Sequence, residues 1–169
     1  MIFIIGIKHD LHQTGPFGDK QPLADFEELL GKVTKEEKIQ LIAEEFSQDA
    51  ARFWNIEKTP TQTFAEKLGV DYIHVDPGIK ERKTLGIKSR EETASELGID
   101  IFNLAPGDLD KINANSKSYD HLREEEWLRR LTPHAGRQVV FVCGFEHTQS
   151  FFNLLIAKGY KATVYKILS

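Results

Sequence analysis

The amino-acid sequence predicts an α/β fold, a single domain in which helices flank a mostly parallel central sheet. The clearest evidence is at the C-terminal end, where an apolar run at 139–143 precedes a turn, a helix to Lys158, a stop at Gly159 and another apolar run at 160–168. A strand, a helix and a strand in this order form a crossover that sets the two strands parallel. The run Ile2–Ile7 is β-branched and almost wholly apolar, as in a strand buried on both faces, so we expect it at the centre of the sheet.

The first half of the chain predicts a loop, a helix and a second strand. The polar stretch 8–21 contains glycine and proline and is predicted to be a loop over the end of the first strand. Residues 39–43 predict the second strand; the alternative is a helix that continues into Phe46. An amphipathic helix is predicted after Pro22 because apolar residues recur there at helical spacing, namely Leu23, Phe26, Leu29, Leu30 and Val33.

The middle of the chain carries weaker signals. A short helix is predicted at 61–68 and a third strand at 71–76. The segment 79–119 is polar, with one helix expected at 91–97, and is interpreted as an insertion or a lid-like region. An apolar stripe among charged residues predicts an amphipathic helix at 122–131.

Composition narrows the class of protein. With 169 residues, of which 40% are hydrophobic and 28% charged, the chain has the size of one compact domain. The net charge of -4 disfavours nucleic acid and anionic membranes as partners. No apolar run is long enough to cross a bilayer, and the first residues lack the pattern of a signal peptide. The single cysteine, Cys143, suits a reducing compartment, so we expect a soluble protein of the cytoplasm.

Polar residues follow the predicted strands at their carboxyl ends, which is where ligands bind in open parallel sheets. The first and last of these ends share a Gly-x-x-His pattern. The ends, in chain order, are Gly6-Ile-Lys-His9, the acidic pair Glu44 and Glu45, the third strand's His74 and Asp76, and Gly144-Phe-Glu-His147.

These residue types suit acid–base or metal chemistry. A neutral imidazole binds a divalent metal or acts as a general base near neutral pH, so His9 and His147 are candidates for either role. Two histidines with a carboxylate from Glu44 or Glu45 form a typical metal site with a position open to water or substrate. Arg123 lies on the helix before the last strand–helix–strand unit, and an arginine there can bind a carboxylate or another anion bidentately.

Each candidate also has a purely structural interpretation. The histidines can be ordinary loop or capping residues, the acidic pair can be the solvated start of a helix, and Arg123 can pair with a surface glutamate. Asp10 and His12 lie close to His9 in the chain and can join the site or belong to the loop. Cys143 precedes Gly144 and is interpreted as a small buried side chain rather than a nucleophile, while His74 and His134 are interpreted as structural or exposed.

Several motifs are absent from the sequence. It contains no Gly-x-Gly-x-x-Gly, no Walker loop, no Cys-x-x-Cys pair, no His-Glu-x-x-His and no Gly-x-Ser-x-Gly. Nucleotide-cofactor and serine-esterase functions therefore have little support.

The ordered motifs resemble those of the superfamily that groups TraB-like and Tiki proteins, ChaN-like haem-binding proteins and erythromycin esterases. The resemblance rests on Gly6-Ile-Lys-His9, on the acidic pair, and on a C-terminal block in which Leu122-Arg-Glu-Glu-Glu-Trp-Leu-Arg-Arg-Leu131 precedes the strand with its Gly-x-x-His loop. It covers about a third of the chain, and the middle region matches nothing in it. The resemblance implies a site formed by His9, Glu44 or Glu45, Arg123 and His147, with hydrolysis, metal-dependent in some members, as the activity.

These observations favour a small hydrolase. Its expected substrate is a small molecule or a peptide, and the sequence does not indicate which one. The site would either hold a divalent metal or activate water directly, using His9, His147 and a carboxylate from Glu44 or Glu45. The predicted metal ligands are His9, Glu44 and His147. Arg123 would orient the substrate. The alternatives are a module that binds a small molecule or haem in the same crevice without turnover, and an interaction protein whose histidines are structural. The oligomeric state stays open.

Overall fold

The computed structural model describes residues 1–8 and 20–167, and for 20–22 and 167 the backbone alone. Most of the loop predicted after the first strand, with His9, Asp10 and His12, lies outside the described residues. What was predicted for these three side chains therefore stays a prediction.

Among the described residues, five strands form one sheet in the order β3-β2-β4-β1-β5, and every neighbouring pair is parallel. This confirms the α/β class with a parallel central sheet. The first strand lies between the fourth and the fifth, so it is an interior strand as expected, although β4 rather than β1 occupies the centre of the sheet. The strands are β1 (Ile2–Ile7), β2 (Leu41–Glu44), β3 (Asp71–His74), β4 (Val139–Gly144) and β5 (Ala162–Ile167).

Helices occupy most of the remaining described chain. The alternative to the second strand, a helix that continues into Phe46, is wrong. Helix α1 ends at Glu36, and Lys38 takes a left-handed backbone conformation with φ of 52° before β2 begins. The helices are α1 (Lys20–Glu36), α2 (Gln48–Phe53), α3 (Pro60–Leu68), α4 (Ile79–Thr84), α5 (Arg90–Glu96), α6 (Asp108–Ser116), α7 (Asp120–Leu131) and α8 (Thr148–Ala157), with 3-10 turns at Lys117–Tyr119, Thr132–His134 and Phe145–His147. None of the helices in the described part of the chain is long and apolar enough to cross a membrane.

The sheet is covered on both faces. Helices α1 and α3 pack on one face, where Phe26 and Leu30 meet the side chains of Ile5 and Ile42. Helices α7 and α8 pack on the other face through a second cluster, made by Trp127, Leu131, Phe151, Leu155, Ala43, Phe141 and Cys143. Because side chains alternate along a strand, consecutive residues at a strand end project toward different helix layers.

The segment 79–119, predicted to be an insertion or a lid, folds into three short helices and a 3-10 turn. The helix expected at 91–97 is α5. It begins with a capping box, in which the hydroxyl of Ser89 accepts from the backbone N–H of Glu92 and the carboxylate of Glu92 accepts from the backbone N–H of Ser89. Whether this segment is a separate unit within a single domain stays a prediction.

The aromatic cluster beneath α8 gives a test of the fold. The ring of Phe151 is fully buried and lies 4.7 Å from the ring centre of Phe141 and 5.6 Å from that of Trp127. We expect Phe151→Ala to lower the free energy of unfolding by about 3–5 kcal/mol, since it leaves a cavity in the core. Phe102 is 96% exposed, so the matched change Phe102→Ala is expected to shift it by less than about 0.5 kcal/mol. Urea unfolding followed by circular dichroism measures both, and equal losses would contradict the packing described.

Candidate functional site

The carboxyl ends of β2, β3 and β4 meet at one edge of the sheet. Beyond β4 the chain continues into α8 on one face. The chain after β1 leads to α1, and the chain after β2 leads through α2 to α3, both of which pack on the other face. Adjacent strands whose connections leave on opposite faces leave a crevice between their ends. Helix α7 packs on the same face as α8 and places Arg123 and Glu124 beside this edge, in contact with Glu45 and His147 respectively.

A buried ion-pair cluster joins these ends. The Nη2 of Arg123 donates to Oε1 of Glu45 at 2.6 Å and to Oδ1 of Asp76 at 3.0 Å, and its Nε donates to the same Asp76 oxygen at 3.1 Å. The side chains of Glu45, Asp76 and Arg123 are 2%, 5% and 16% exposed. Burying a charge is costly unless a partner compensates it, and here each charge has a partner of opposite sign.

Further hydrogen-bond donors contact the carboxylates of Asp76 and Glu45. Trp127 Nε1 donates to Oδ1 of Asp76 at 3.0 Å, Arg82 donates to its Oδ2, and the backbone N–H of Gly144 donates to Oε2 of Glu45 at 2.8 Å. Burial raises the pKa of the Asp76 carboxyl, but the positive charges of Arg123 and Arg82 outweigh it and keep that pKa below its usual range. Asp76 is therefore ionised at neutral pH.

His147 lies next to this cluster and is oriented by Glu124. Its Nδ1 is 3.2 Å from Oε1 of Glu124, an oxygen that also accepts from the hydroxyl of Ser150. Its Nε2 is 3.4 Å from Nη1 of Arg123 and 3.7 Å from Oε1 of Glu45. The hydrogen-bond network therefore assigns the Nδ1–H tautomer to the neutral ring, which directs the Nε2 lone pair toward Arg123.

The pKa of His147 reflects these neighbours. Burial lowers it, but the hydrogen bond to Glu124 and the negative charge of Glu45 have the larger combined effect, so the pKa is raised above the usual 6.5. A histidine whose pKa is raised is a stronger base, which is the property that general-base catalysis uses.

A cleft of about 620 Å³ opens over this cluster, within the usual range of about 300–1,000 Å³ for small-molecule sites. Arg123 and His147 line one side of it, and segment 79–119 supplies most of the remaining wall. The wall is strongly polar. Its charged side chains, besides Arg123, are Arg82, Lys88, Arg90 and Lys117 on the basic side and Glu91, Asp110, Asp120 and Glu146 on the acidic side.

The two members of the acidic pair lie in different surroundings. Glu44 is fully buried and accepts hydrogen bonds from the hydroxyl of Thr59 at 2.7 Å and from that of Tyr72. His74 packs against the Tyr72 ring, and burial lowers its pKa. Glu44 thus projects toward the α1 and α3 layer, while Glu45 projects toward α7 and α8. Because both are buried, their interpretation as a solvated helix start is wrong.

The predicted metal set of His9, Glu44 and His147 stays a prediction, since His9 lies outside the described residues. Glu44 and His147 project toward opposite faces of the sheet, a placement that does not suit two ligands of one ion. Within 1–8 and 20–167, no group of three or more His, Cys, Asp or Glu is arranged to hold a metal ion. We therefore derive no catalytic step through a metal.

Glu124 is a residue of this site that the sequence analysis did not single out. Its spacing to Trp127, Leu128 and Leu131 places it on the buried stripe of its helix. An acidic residue on an apolar stripe is the signal that could have revealed it. Cys143 is fully buried in the core, as predicted, and burial raises the pKa of its thiol well above the usual value.

Comparison of the chain with protein-family models, with curated proteins and with solved structures found no match. The superfamily resemblance described above therefore stays a prediction that rests on its motifs.

The Arg123 cluster gives a second test. Asp76→Asn removes one of two negative charges that compensate a buried guanidinium, so we expect the free energy of unfolding at pH 7 to fall by about 3–5 kcal/mol. Because the folded-state pKa of Asp76 is lowered, its stabilisation is present above its unfolded value of 3.8 and is lost as pH falls through the folded value. The difference in the free energy of unfolding between Asp76→Asn and the wild type should therefore become smaller at acidic pH.

Asp71 is the matched control, since it pairs with Arg137 at the surface. Asp71→Asn is expected to lower the free energy of unfolding by about 0–1 kcal/mol. Urea titrations at pH 7 and below pH 4 measure both variants, and a loss for Asp76→Asn no greater than for Asp71→Asn would contradict a buried, compensated cluster.

The hydrogen bond between Glu124 and His147 gives a third test. Glu124→Gln removes the negative charge at Nδ1, so we expect the pKa of His147 to fall, whereas Glu125→Gln, at an exposed neighbouring position, should leave it unchanged. NMR titration of the imidazole measures this pKa. With a raised folded-state pKa, His147 stabilises the fold below pH 6.5, and that contribution disappears as pH rises through the folded value. Glu124→Gln should weaken this pH dependence, and an unchanged pKa would contradict the assigned contact.

Proposed function

We propose that the chain is a small hydrolase that acts on an anionic small molecule or peptide. His147 acts as the general base that takes a proton from the attacking water, and Arg123 binds the negative charge of the substrate. The observation that carries the proposal is the contact of Glu124 with Nδ1 of a buried histidine whose other nitrogen lies beside Arg123 at the cleft.

The Glu124 contact supports the role of His147. A carboxylate at Nδ1 holds the imidazole in the tautomer whose Nε2 can accept a proton, and it stabilises the imidazolium that forms. The raised pKa makes the imidazole a stronger base. General-base catalysis of this kind contributes about 100- to 10,000-fold to a rate.

Arg123 supports anion binding through the part of its guanidinium that the carboxylates do not use. Nε and Nη2 donate to Asp76 and Glu45, which fixes the plane of the group, and Nη1 lies on the side of His147. Nη1 carries two N–H groups, so it can donate to an oxygen of a carboxylate or phosphate while the rest of the guanidinium stays fixed by the carboxylates. Arg90 and Lys117 add positive charge to the cleft wall.

The same cleft supports a second candidate, a module that binds a small anion, or haem as the ChaN-like branch of the resemblance implies, without turnover. The observation in its favour is that every charge of the Arg123 cluster is already compensated, as in a rigid recognition site. Bound ligand without chemical conversion would favour this candidate. In either form, the proposal includes a cytoplasmic location and no nucleic-acid partner.

The test compares two esters that differ in charge, the 4-nitrophenyl monoester of glutaric acid and neutral 4-nitrophenyl butyrate. We expect the wild type to prefer the anionic ester and His147→Gln to lower its kcat by about 100- to 10,000-fold. His134→Gln alters a histidine in a surface turn and should leave kcat unchanged. Circular dichroism verifies that each variant is folded.

Two outcomes would overturn the hydrolase proposal. One is a wild-type rate no higher than that of buffer for both esters. The other is a folded His147→Gln variant with the wild-type kcat.

A further inference from the structure

A second cavity, of about 370 Å³, adjoins the cleft of His147. Arg82, Ile87 and Ser89 border both cavities, so the connection between α4 and α5 forms their common boundary. The second cavity therefore adjoins the candidate site across these residues.

The two cavities differ in chemistry. The first carries the charged side chains described above. The second presents a mostly apolar surface, to which Ala50, Phe53, Pro77, Ile79 and Ile87 contribute, with charged residues such as Asp49, Arg82, Lys83 and Glu92 also among its lining. Phe53 is 76% exposed and Ile79 is 69% exposed. Large apolar side chains around a concave surface gain free energy when a ligand removes them from water.

We propose that the second cavity binds an apolar group of the same substrate whose anionic group lies against Arg123. The substrate class is then an amphiphilic anion, a carboxylate or phosphate joined to an alkyl or aryl group. This inference rests on the proposed function. Two observations support it: the same three residues line both cavities, and the exposed surface changes from mostly polar in the first cavity to mostly apolar in the second.

The geometry of α4 is consistent with this division. Arg82 donates to Asp76 and, through Nε, to the carbonyl of Pro77 at 3.1 Å, which ties α4 to the ion-pair cluster. The backbone N–H of Ile79 donates to Oδ2 of Asp49 at 2.8 Å, which ties the same helix to α2. Hydrogen bonds thus connect the walls of the second cavity to each other and to the ion-pair cluster beside the first.

The test uses straight-chain carboxylates from butanoate to decanoate, with binding measured by isothermal titration calorimetry. We expect the affinity of the wild type to rise about two- to fourfold for each added methylene that enters the cavity. Ala50→Phe fills the cavity and should remove this dependence on chain length. Ala24→Leu enlarges an exposed alanine on α1 and should retain it.

Ile79→Asn provides a second variant at an exposed position, should Ala50→Phe fail to fold, and should also reduce the dependence on chain length. An affinity that does not change with chain length, or that rises equally in the wild type and both cavity variants, would overturn the inference. The same holds if the cavity instead mediates association of two copies, detected by sedimentation as a dimer that the cavity variants dissociate and carboxylates leave intact.

The two proposals fail in different ways. If the affinity of the wild type does not depend on chain length while kcat still depends on His147, the amphiphilic substrate class alone is overturned. Binding that depends on chain length without ester hydrolysis overturns the hydrolase and leaves the second cavity as the subsite of a binding module.

Discussion

The contact of Arg123 with Glu45 and Asp76 ties three separate parts of the chain together. Glu45 follows β2, Asp76 lies two residues beyond β3, and Arg123 comes from α7, which precedes β4. All three charged groups are buried, so each depends on the others to offset the cost of leaving water. The position of α7 at the strand ends, and with it the orientation of the cleft, follows from this compensation.

His147 depends on the same helix. Glu124 is the next residue after Arg123, so α7 presents the cation to the strand ends and a carboxylate to the imidazole. Trp127, one turn later, packs edge-on against His147 at 5.1 Å and donates to Asp76. One turn of helix therefore fixes both the ion-pair cluster and the histidine, which explains why these groups lie together although their positions in the chain are far apart.

The sequence predicted the strands and their ends well because burial on both faces leaves continuous apolar runs. It located His147, Arg123 and the acidic pair at the edge where they lie. It could not determine which member of the acidic pair lies on the side of His147, since that depends on which face of β2 each residue occupies. Glu124 stands in a run of three glutamates and was overlooked, although its spacing to Trp127, Leu128 and Leu131 places it on the apolar stripe. Segment 79–119 gave little signal because its helices are short and are begun by local caps such as Ser89 rather than by a long apolar stripe.

The opposite placement of Glu44 and Glu45 has a consequence for strand pairing. β2 has four residues, too few for hydrophobic alternation alone to fix its alignment firmly. A slip of one position would set Phe46 against the Arg123 guanidinium in one direction. In the other direction it would set Ala43 where the hydroxyls of Thr59 and Tyr72 now find an acceptor. Only one alignment of this short strand between its neighbours gives both adjacent carboxylates their partners, so the two carboxylates together fix how β2 pairs.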